Sequence, residues 1–378
     1  MRANGAAGND DIPPTFLKNL GDNAMKELLD ICNHSFKTAE IPAVWRHAII
    51  IPILKKGKPA SKMDSYRPIS LTSCLAKTLE RMINNRIYYI AETKGWLSKS
   101  QTGFRKLRCT EDQVMRITQS ISDSFQSKPP KRTMMVLIDY SKAYDRVWRD
   151  DLLLDMIDLG LPMQFVKWIS AFINRRTAQV KYNGVLSRKV VLQQGLPQGA
   201  VLSPLLFLFY INRLSEVIPA DIDHAMFADD ASIWAAHKDL NVLEAKLQRV
   251  IDIINEWSIK KKMTINTDKC EVTFFSTDSH EAKWRPNMKL DGEEIKYEAS
   301  PKFLGVYLDR TLSFTEHVLK VAEKVGKRNR ILASLSTKLW GWKKKKLRQV
   351  FCAMQKSVLD YAAAGWQPYL SDTQMKKL

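Results

Sequence analysis

An α+β fold, with helices packed on an antiparallel sheet, follows from three observations in this 378-residue chain. Short apolar runs of strand length stand among longer helical segments in mixed order, the pattern of helices laid on a sheet. An Asn183-Gly184 pair divides two alternating runs, which predicts a hairpin with a type I′ turn. Leu243, Leu247, Val250, Ile254 and Trp257 recur at spacings of four and three, one core-facing helical stripe.

In chain order, "DSFQSKPPKR" (123–132) is a loop with two prolines, followed by the strand "TMMVLID" (133–139), an apolar run ending in an aspartate. "SKAYDRVWRDDLLLDMIDLGLP" reads as one helix stopped by Gly160 and Pro162, and residues 164–176 as a second. The hairpin "AQVKYNGVLSRKVVL" (178–192) comes next, then a helix beginning after Pro204 and the striped helix. "CEVTFFS" (270–276) and "KFLGVYL" (302–308) are strands, and helical, very basic sequence runs to the end.

The composition, 45% hydrophobic, suits a globular protein with a sizeable core. No apolar run approaches the roughly 18 residues of a membrane helix, and the N-terminus carries no secretory h-region. No membrane partner is therefore expected. Five scattered cysteines lack metal-ligand spacing, which points to a reducing compartment and no structural zinc. Net charge is +19, and 14 basic against 4 acidic residues fall between Thr311 and Leu378. More than half of the surplus lies there, a distribution that points to a polyanion held by the C-terminal part.

The stretch "HAMFADDASIW" (224–234) sets Asp229 and Asp230 between two apolar runs. Asp139, at the end of its own apolar strand, is 90 residues away, yet strands of one sheet can bring all three side by side. Adjacent carboxylates repel, and a divalent ion neutralises them. Mg²⁺ favours a few carboxylates plus phosphate oxygens, and paired ions clamp both oxygens of a phosphoryl displacement. On spacing alone, a water-facing hairpin tip is the better account of the pair.

The surrounding words add a resemblance. "YRPISLTSCLAKTLERMINNRI" (66–87), "QTGFRK" (101–106), "LIDYSKAYDRV" (137–147), "QGLPQGAVLSPLLF" (194–207), "FADD" (227–230), "INTDKC" (265–270) and "FLGV" (303–306) resemble, in the same order along the chain, the sequence blocks of reverse transcriptases. The nearest group is the non-LTR (LINE-like) retrotransposons of Jockey/Tad/I type. The resemblance implies a right-handed polymerase fold of fingers, antiparallel-sheet palm and helical thumb. Fingers with an N-terminal extension would span 1–130, the palm 131–310 with a helical insertion around 150–176, and a truncated basic thumb 311–378.

It also implies RNA-templated addition of dNTPs to a DNA primer 3′-OH. Asp139 and Asp229 would bind the metal ions, Mg²⁺ or Mn²⁺, with Asp230 in support, and Lys269 would protonate the leaving pyrophosphate. Tyr140, Tyr144, Gln198 and Gly199 would face the incoming nucleotide, Tyr144 as a steric gate against a ribose 2′-OH. Arg67 and Lys55 would hold the triphosphate. Phe303, Leu304 and Gly305 would form a hairpin that holds the primer terminus, and Lys327, Arg328, Lys343 and Lys344 would hold the template–primer backbone, with Trp340 and Trp342 interleaved. "GNDDIPP" (8–14) departs from the family's opening phrase and puts that turn in doubt. An endonuclease domain is expected upstream in a full-length element. The site of action would be the nucleus, at the point of integration, after a cytoplasmic ribonucleoprotein stage. Two other readings share parts of the pattern. A group II intron maturase would need a further RNA-binding domain after the thumb, and an inactive nucleic-acid-binding relic would keep the basic thumb without the chemistry.

Overall fold

The computed structural model describes residues 5–337 and 341–378. Trp340 of the basic C-terminal stretch lies outside the described residues. The chain forms two compact units that interleave along the sequence. One comprises Met1–Ser98, Ser141–Leu214 and Ser258–Thr264; the other comprises Lys99–Tyr140, Ser215–Trp257 and Ile265–Leu378.

The second unit is built on a five-stranded sheet, in the order Lys296–Tyr297, Glu271–Phe275, Arg132–Ile138, Asp230–His237, Asp223–Phe227. Neighbours are antiparallel except for the short Lys296–Tyr297 edge, which is parallel. Arg132–Ile138 is central, and its unbroken apolar run follows from that place: Met134, Met135 and Val136 are all fully buried. On one face Met135 and Trp234 pack with Val114, Ile117 and Ile121 of the helix Thr110–Gln126 and with Phe314 and Trp366 of the C-terminal part. That helix runs to Gln126, so the expected proline-rich loop begins later than residue 123. The predicted stripe is buried along the helix Leu240–Lys260, from Leu243 to Trp257.

"KFLGVYL" is a tight hairpin, as the resemblance implies, and not the single strand its apolar run suggests: Lys302–Phe303 pairs with Val306–Tyr307, and Leu304 and Gly305 turn with positive φ. The C-terminal stretch is helical over Thr315–Ser334 and Lys344–Phe351.

The first unit carries a second sheet, in which His47–Leu54 pairs antiparallel with Tyr66–Leu71 and parallel with Arg176–Tyr182. The Asn183-Gly184 turn forms as expected, both residues at positive φ, between Arg176–Tyr182 and Val185–Leu186. The helix Ser203–Asn212 is buried on every side, as its nearly uniform apolar sequence requires.

The single helix expected after residue 141 is instead two, Ala143–Arg146 and Arg149–Asp158. The break has a tertiary cause. The Tyr144 and Val147 carbonyls accept N–H bonds from Leu196 and Gly195, and the Trp148 N–H donates to the Tyr210 hydroxyl. Buried Arg149 then donates to the carbonyls of Leu192, Gln194 and Gly195. A Cβ at Gly195 would fall 2.6 Å from the Asp145 carbonyl oxygen, so this approach requires glycine.

In the second unit, His317 is buried edge-on against Trp366 and accepts the Tyr307 N–H at Nδ1. Burial pushes its pKa from 6.5 down to about 4. The unfolded chain then binds more protons between those values, so this contribution to stability is present above pH 6.5 and is lost as pH falls towards 4. Urea unfolding is expected to show a loss of about 2 kcal/mol between pH 7 and pH 5 that His317→Gln largely removes. Identical pH dependence in the two proteins would reject the assignment.

Candidate active site

The carboxylates meet because of strand register. Ile138 pairs with Ala231, so Asp139, one step beyond the last pair, comes level with Asp230. Phe227 and Asp230 close the neighbouring hairpin, which leaves Ala228 and Asp229 as its two-residue tip. Ala228 takes φ +58°, a conformation that costs a non-glycine residue roughly 1–2 kcal/mol. Burial raises the pKa of Asp229, and the Asp139 charge adds to the rise. For Asp230, burial and then the charges of Asp229 and Asp139 push the pKa up to about 6.

A short turn, Thr267–Lys269, brings the opposing charge: Lys269 Nζ pairs with Asp139 Oδ2 at 2.9 Å, while the Asp139 carbonyl accepts the Asn266 N–H. A cavity of about 370 Å³ opens beside them, lined by Asp139, Asp230 and Lys269 and on another side by Phe303 and Leu304. Among the described residues, no group of three or more His, Cys, Asp or Glu is drawn close enough to hold a metal ion. The aspartates are neighbours, with Lys269 paired to Asp139 and Asp230 exposed to solvent. Their chemistry nonetheless fits a hard divalent cation: all donors are oxygens, and their mutual repulsion is what such a charge relieves.

The hairpin at 302–307 is held from behind. The Tyr361 hydroxyl donates to the Leu304 carbonyl at 2.8 Å, and its ring stands 3.1 Å from where a Gly305 Cβ would be. Phe303 is buried. Tyr140 is likewise buried and bridges Ile265 through its backbone.

The remaining residues expected to face the nucleotide belong to the first unit. Gln198 donates through Nε2 to Asp145 Oδ1 at 3.0 Å and accepts the Ser70 N–H at its carbonyl. Gly199 has φ +111°, and a Cβ there would stand 2.7 Å from the Ser70 carbonyl oxygen. Buried Glu80 accepts the N–H groups of Val201 and Leu202, which fixes the end of this loop at the start of the helix Ser203–Asn212. Burial raises the Glu80 pKa, and the charge of Arg176 opposes the rise. Tyr144 stacks on Phe207 with ring centroids 4.5 Å apart. Arg67 is exposed on the strand Tyr66–Leu71, which also carries Ser70, and Lys55 donates to the Asp64 carbonyl.

Of the basic C-terminal residues, Lys343 and Lys344 are exposed, Lys327 pairs with Glu323, and Arg328 is turned inward onto the Met354 carbonyl. Sequence reasoning did not single out Glu80 or Tyr361. Glu80 lay unremarked inside the 66–87 block, and Tyr361 carried no local signal.

A family model for "Reverse transcriptase (RNA-dependent DNA polymerase)" matches residues 53–308. The chain belongs to the reverse transcriptase family. This domain is 30% identical over 324 residues to the RNA-directed DNA polymerase from mobile element jockey of Drosophila melanogaster, an alignment covering 84% of this chain and 35% of that protein. It is 29% identical to the probable RNA-directed DNA polymerase from transposon X-element of the same fly, over 89% of this chain and 36% of that one. The corresponding protein from transposon BS is 30% identical over 82% of this chain and 34% of its own length. The chain thus spans about a third of the curated relatives it matches.

Among solved structures, telomerase from Candida tropicalis in complex with a fragment of telomeric RNA aligns over 94% of this chain and 60% of its own, at 14% identity and TM-score 0.49. The apo, C-terminally truncated telomerase aligns over 76% and 58%, at 14% identity and TM-score 0.46. The fold assignment rests on the family match and on the sheet that carries the aspartates.

The raised Asp230 pKa has a sign that can be measured. The folded state holds its proton up to about pH 6, against 3.8 for the ordinary carboxyl, so the group's contribution to stability is full below 3.8 and is lost as pH rises from there through 6. Asp230→Asn is therefore expected to melt higher than the parent at pH 8 without divalent ions, and to gain only about half as much at pH 5. Asp230 is more than a third exposed, so solvent screening keeps the gain modest. Equal shifts at both pH values would show that the charge cluster is not their source.

Proposed function

We propose that this chain is an RNA-directed DNA polymerase domain that adds deoxynucleotides to a DNA primer 3′-OH on an RNA template. The observation that carries this reading is the register that brings Asp139 level with Asp230 at the end of the central strand, beside the Asp229 tip and the cavity shared with Phe303 and Leu304. In this reading the aspartate-bearing sheet is the palm, the basic helices from Thr315 onward are the thumb, and the N-terminal sheet and helices are the fingers.

Asp139 and Asp229, with Asp230 in support, would hold Mg²⁺ or Mn²⁺, which when bound activates the primer hydroxyl and offsets charge on the leaving pyrophosphate. The chain's own groups do the rest. Lys269, paired with Asp139, would give a proton to the leaving group. Gln198 is held at both its carboxamide and its carbonyl, so it presents a fixed edge to a base pair. The stacked Tyr144 ring excludes a ribose 2′-OH, and Arg67 with Lys55 offers positive charge to the triphosphate. The 302–307 hairpin, backed by Tyr361, holds the primer end. Exposed Lys343 and Lys344 track the duplex backbone through phosphate contacts, whereas Arg328 supports the Thr315–Ser334 helix. In a complete element the primer would be a nicked chromosomal end, and the reaction would then run in the nucleus.

Primer extension on poly(rA)/oligo(dT) with dTTP and Mg²⁺ tests the reading. The parent is expected to extend, and the Asp229→Ala, Asp230→Ala double variant to lose more than about 10²-fold in rate with duplex affinity retained. Salt-dependent binding by both proteins without extension by either, under Mg²⁺ or Mn²⁺, would leave a nucleic-acid-binding relic as the better account. A Lys343→Ala, Lys344→Ala variant is expected to bind duplex more weakly at low salt and to lower the slope of log K against log salt by about 1 for each phosphate no longer neutralised. An unchanged slope would remove these lysines from the interface.

A further inference from the structure

Residues 100–103 run parallel to the strand Asp223–Phe227. The Met226 N–H donates to the Ser100 carbonyl at 2.9 Å, the Thr102 N–H donates to the Met226 carbonyl at 3.0 Å, and Gln101 bridges Met226 between them. This short rail leads to the aspartate tip. At its end the Gln101 side chain, fully buried, turns onto Ala228. Its Nε2 donates to the Ala228 carbonyl at 3.2 Å, and its Oε1 accepts the N–H groups of Ala228 and Gly103, each at 2.9 Å. One carboxamide therefore holds both the N–H and the C=O of the residue immediately before Asp229.

The neighbouring contacts make the clamp specific to this place. A Cβ on Gly103 would fall 2.2 Å from the Ala228 nitrogen and 2.9 Å from the Phe227 carbonyl carbon, so only glycine lets the rail lie this close. Gln113 donates to the Ser100 carbonyl at 2.7 Å and anchors the other end of the rail to the helix Thr110–Gln126. The clamped residue is also the one whose backbone most needs holding. Ala228 has positive φ without being glycine, and the two carboxylates that follow repel each other and Asp139.

From this geometry we propose that Gln101 is a positioning residue for the divalent-cation site: by fixing both amide groups of Ala228 it sets the direction in which Asp229 and Asp230 present their carboxylates. The proposal rests on the function proposed above. Gln101 has no exposed surface with which to touch nucleotide or duplex, so it acts only through the turn. A residue that merely filled the core would affect stability. One that aims the carboxylates affects cation affinity first, as partners that orient metal ligands do.

The test uses the full chain and Gln101→Met, which keeps length and volume but removes the donor and both acceptor interactions. Mn²⁺ binding is followed by electron paramagnetic resonance in the absence of nucleic acid, beside the Mg²⁺ concentration for half-maximal primer extension. The variant is expected to bind Mn²⁺ about 10-fold more weakly and to need correspondingly more Mg²⁺. Extension at saturating Mg²⁺ should return to near the parent rate, with template–primer affinity unchanged. Parent-like Mn²⁺ affinity and Mg²⁺ requirement, with only a lower melting temperature or rate, would overturn the proposal and leave Gln101 a core residue.

If Gln101→Met fails to fold, Gln101→Asn, which keeps the carboxamide one methylene short of its partners, is read by the same titration with the same two outcomes. A parent that neither binds Mn²⁺ nor extends a primer overturns the polymerase reading as well. A parent that does both, with a variant indistinguishable from it, overturns only the role of Gln101.

Discussion

The pairing of Ile138 with Ala231 is the constraint on which the aspartate site depends. An apolar sheet interior cannot hold bare carboxylates, so they collect where the ladder ends, and the ladder's end is set by register. Met134, Met135 and Val136 are buried on both faces of the central strand, and Ile233, Trp234 and Ala235 are buried opposite them. A slip of one residue would carry every one of these side chains to the wrong face and would part Asp139 from Asp230 at the same time. The energy that fixes the site is therefore the burial of residues that never touch it. Lys269, delivered by a separate turn, offsets part of the repulsion that this packing imposes.

The first unit solves a different problem with the opposite means. There the residues to be placed lie on a loop, 194–202, and a loop has no ladder to hold it. Buried polar side chains hold it instead. Arg149 gathers three carbonyls, Glu80 gathers two N–H groups, and Ser70 takes the Gln198 carbonyl through its backbone N–H. Gly195 and Gly199 permit the approaches. Burying Glu80 has a cost, visible in its raised pKa, and the charge of Arg176 limits it. A loop fixed by interior charges is rigid only while every partner is present, so its tolerance for substitution is narrower than that of the sheet.

These two constructions differ in how well the sequence announces them. Patterns that depend on a residue's neighbours in the chain were legible: the apolar run closing at Asp139, the Asn183-Gly184 turn, the stripe from Leu243 to Trp257 and the tip at Asp229. What was not legible depends on partners far away in sequence. The helix broken at Val147 and Trp148 is periodic enough to read as continuous, and its break is caused by backbone groups of Gly195 and Leu196. "KFLGVYL" read on its own is a strand, and only the resemblance pointed to its hairpin, whose Leu304 takes positive φ and whose carbonyl accepts the distant Tyr361 hydroxyl. Gln101 lay in a recognised block, but a polar residue there says nothing of a partner at Ala228.

The aspartate tip also joins features that a fold selected for stability alone would avoid. Ala228 occupies a backbone conformation better suited to glycine, and three carboxylates face one lysine. Glycine would ease the backbone but free the turn, and a neutral side chain would ease the repulsion but remove a ligand. Keeping the strained alanine and both charges yields a tip that is costly without a cation and stiff enough not to relax away from one. Strain of this kind persists only where the surroundings over-determine it. Here the surroundings are the sheet register on one side and the 100–103 rail on the other, so the same contacts that make the tip expensive to fold keep its carboxylates in place.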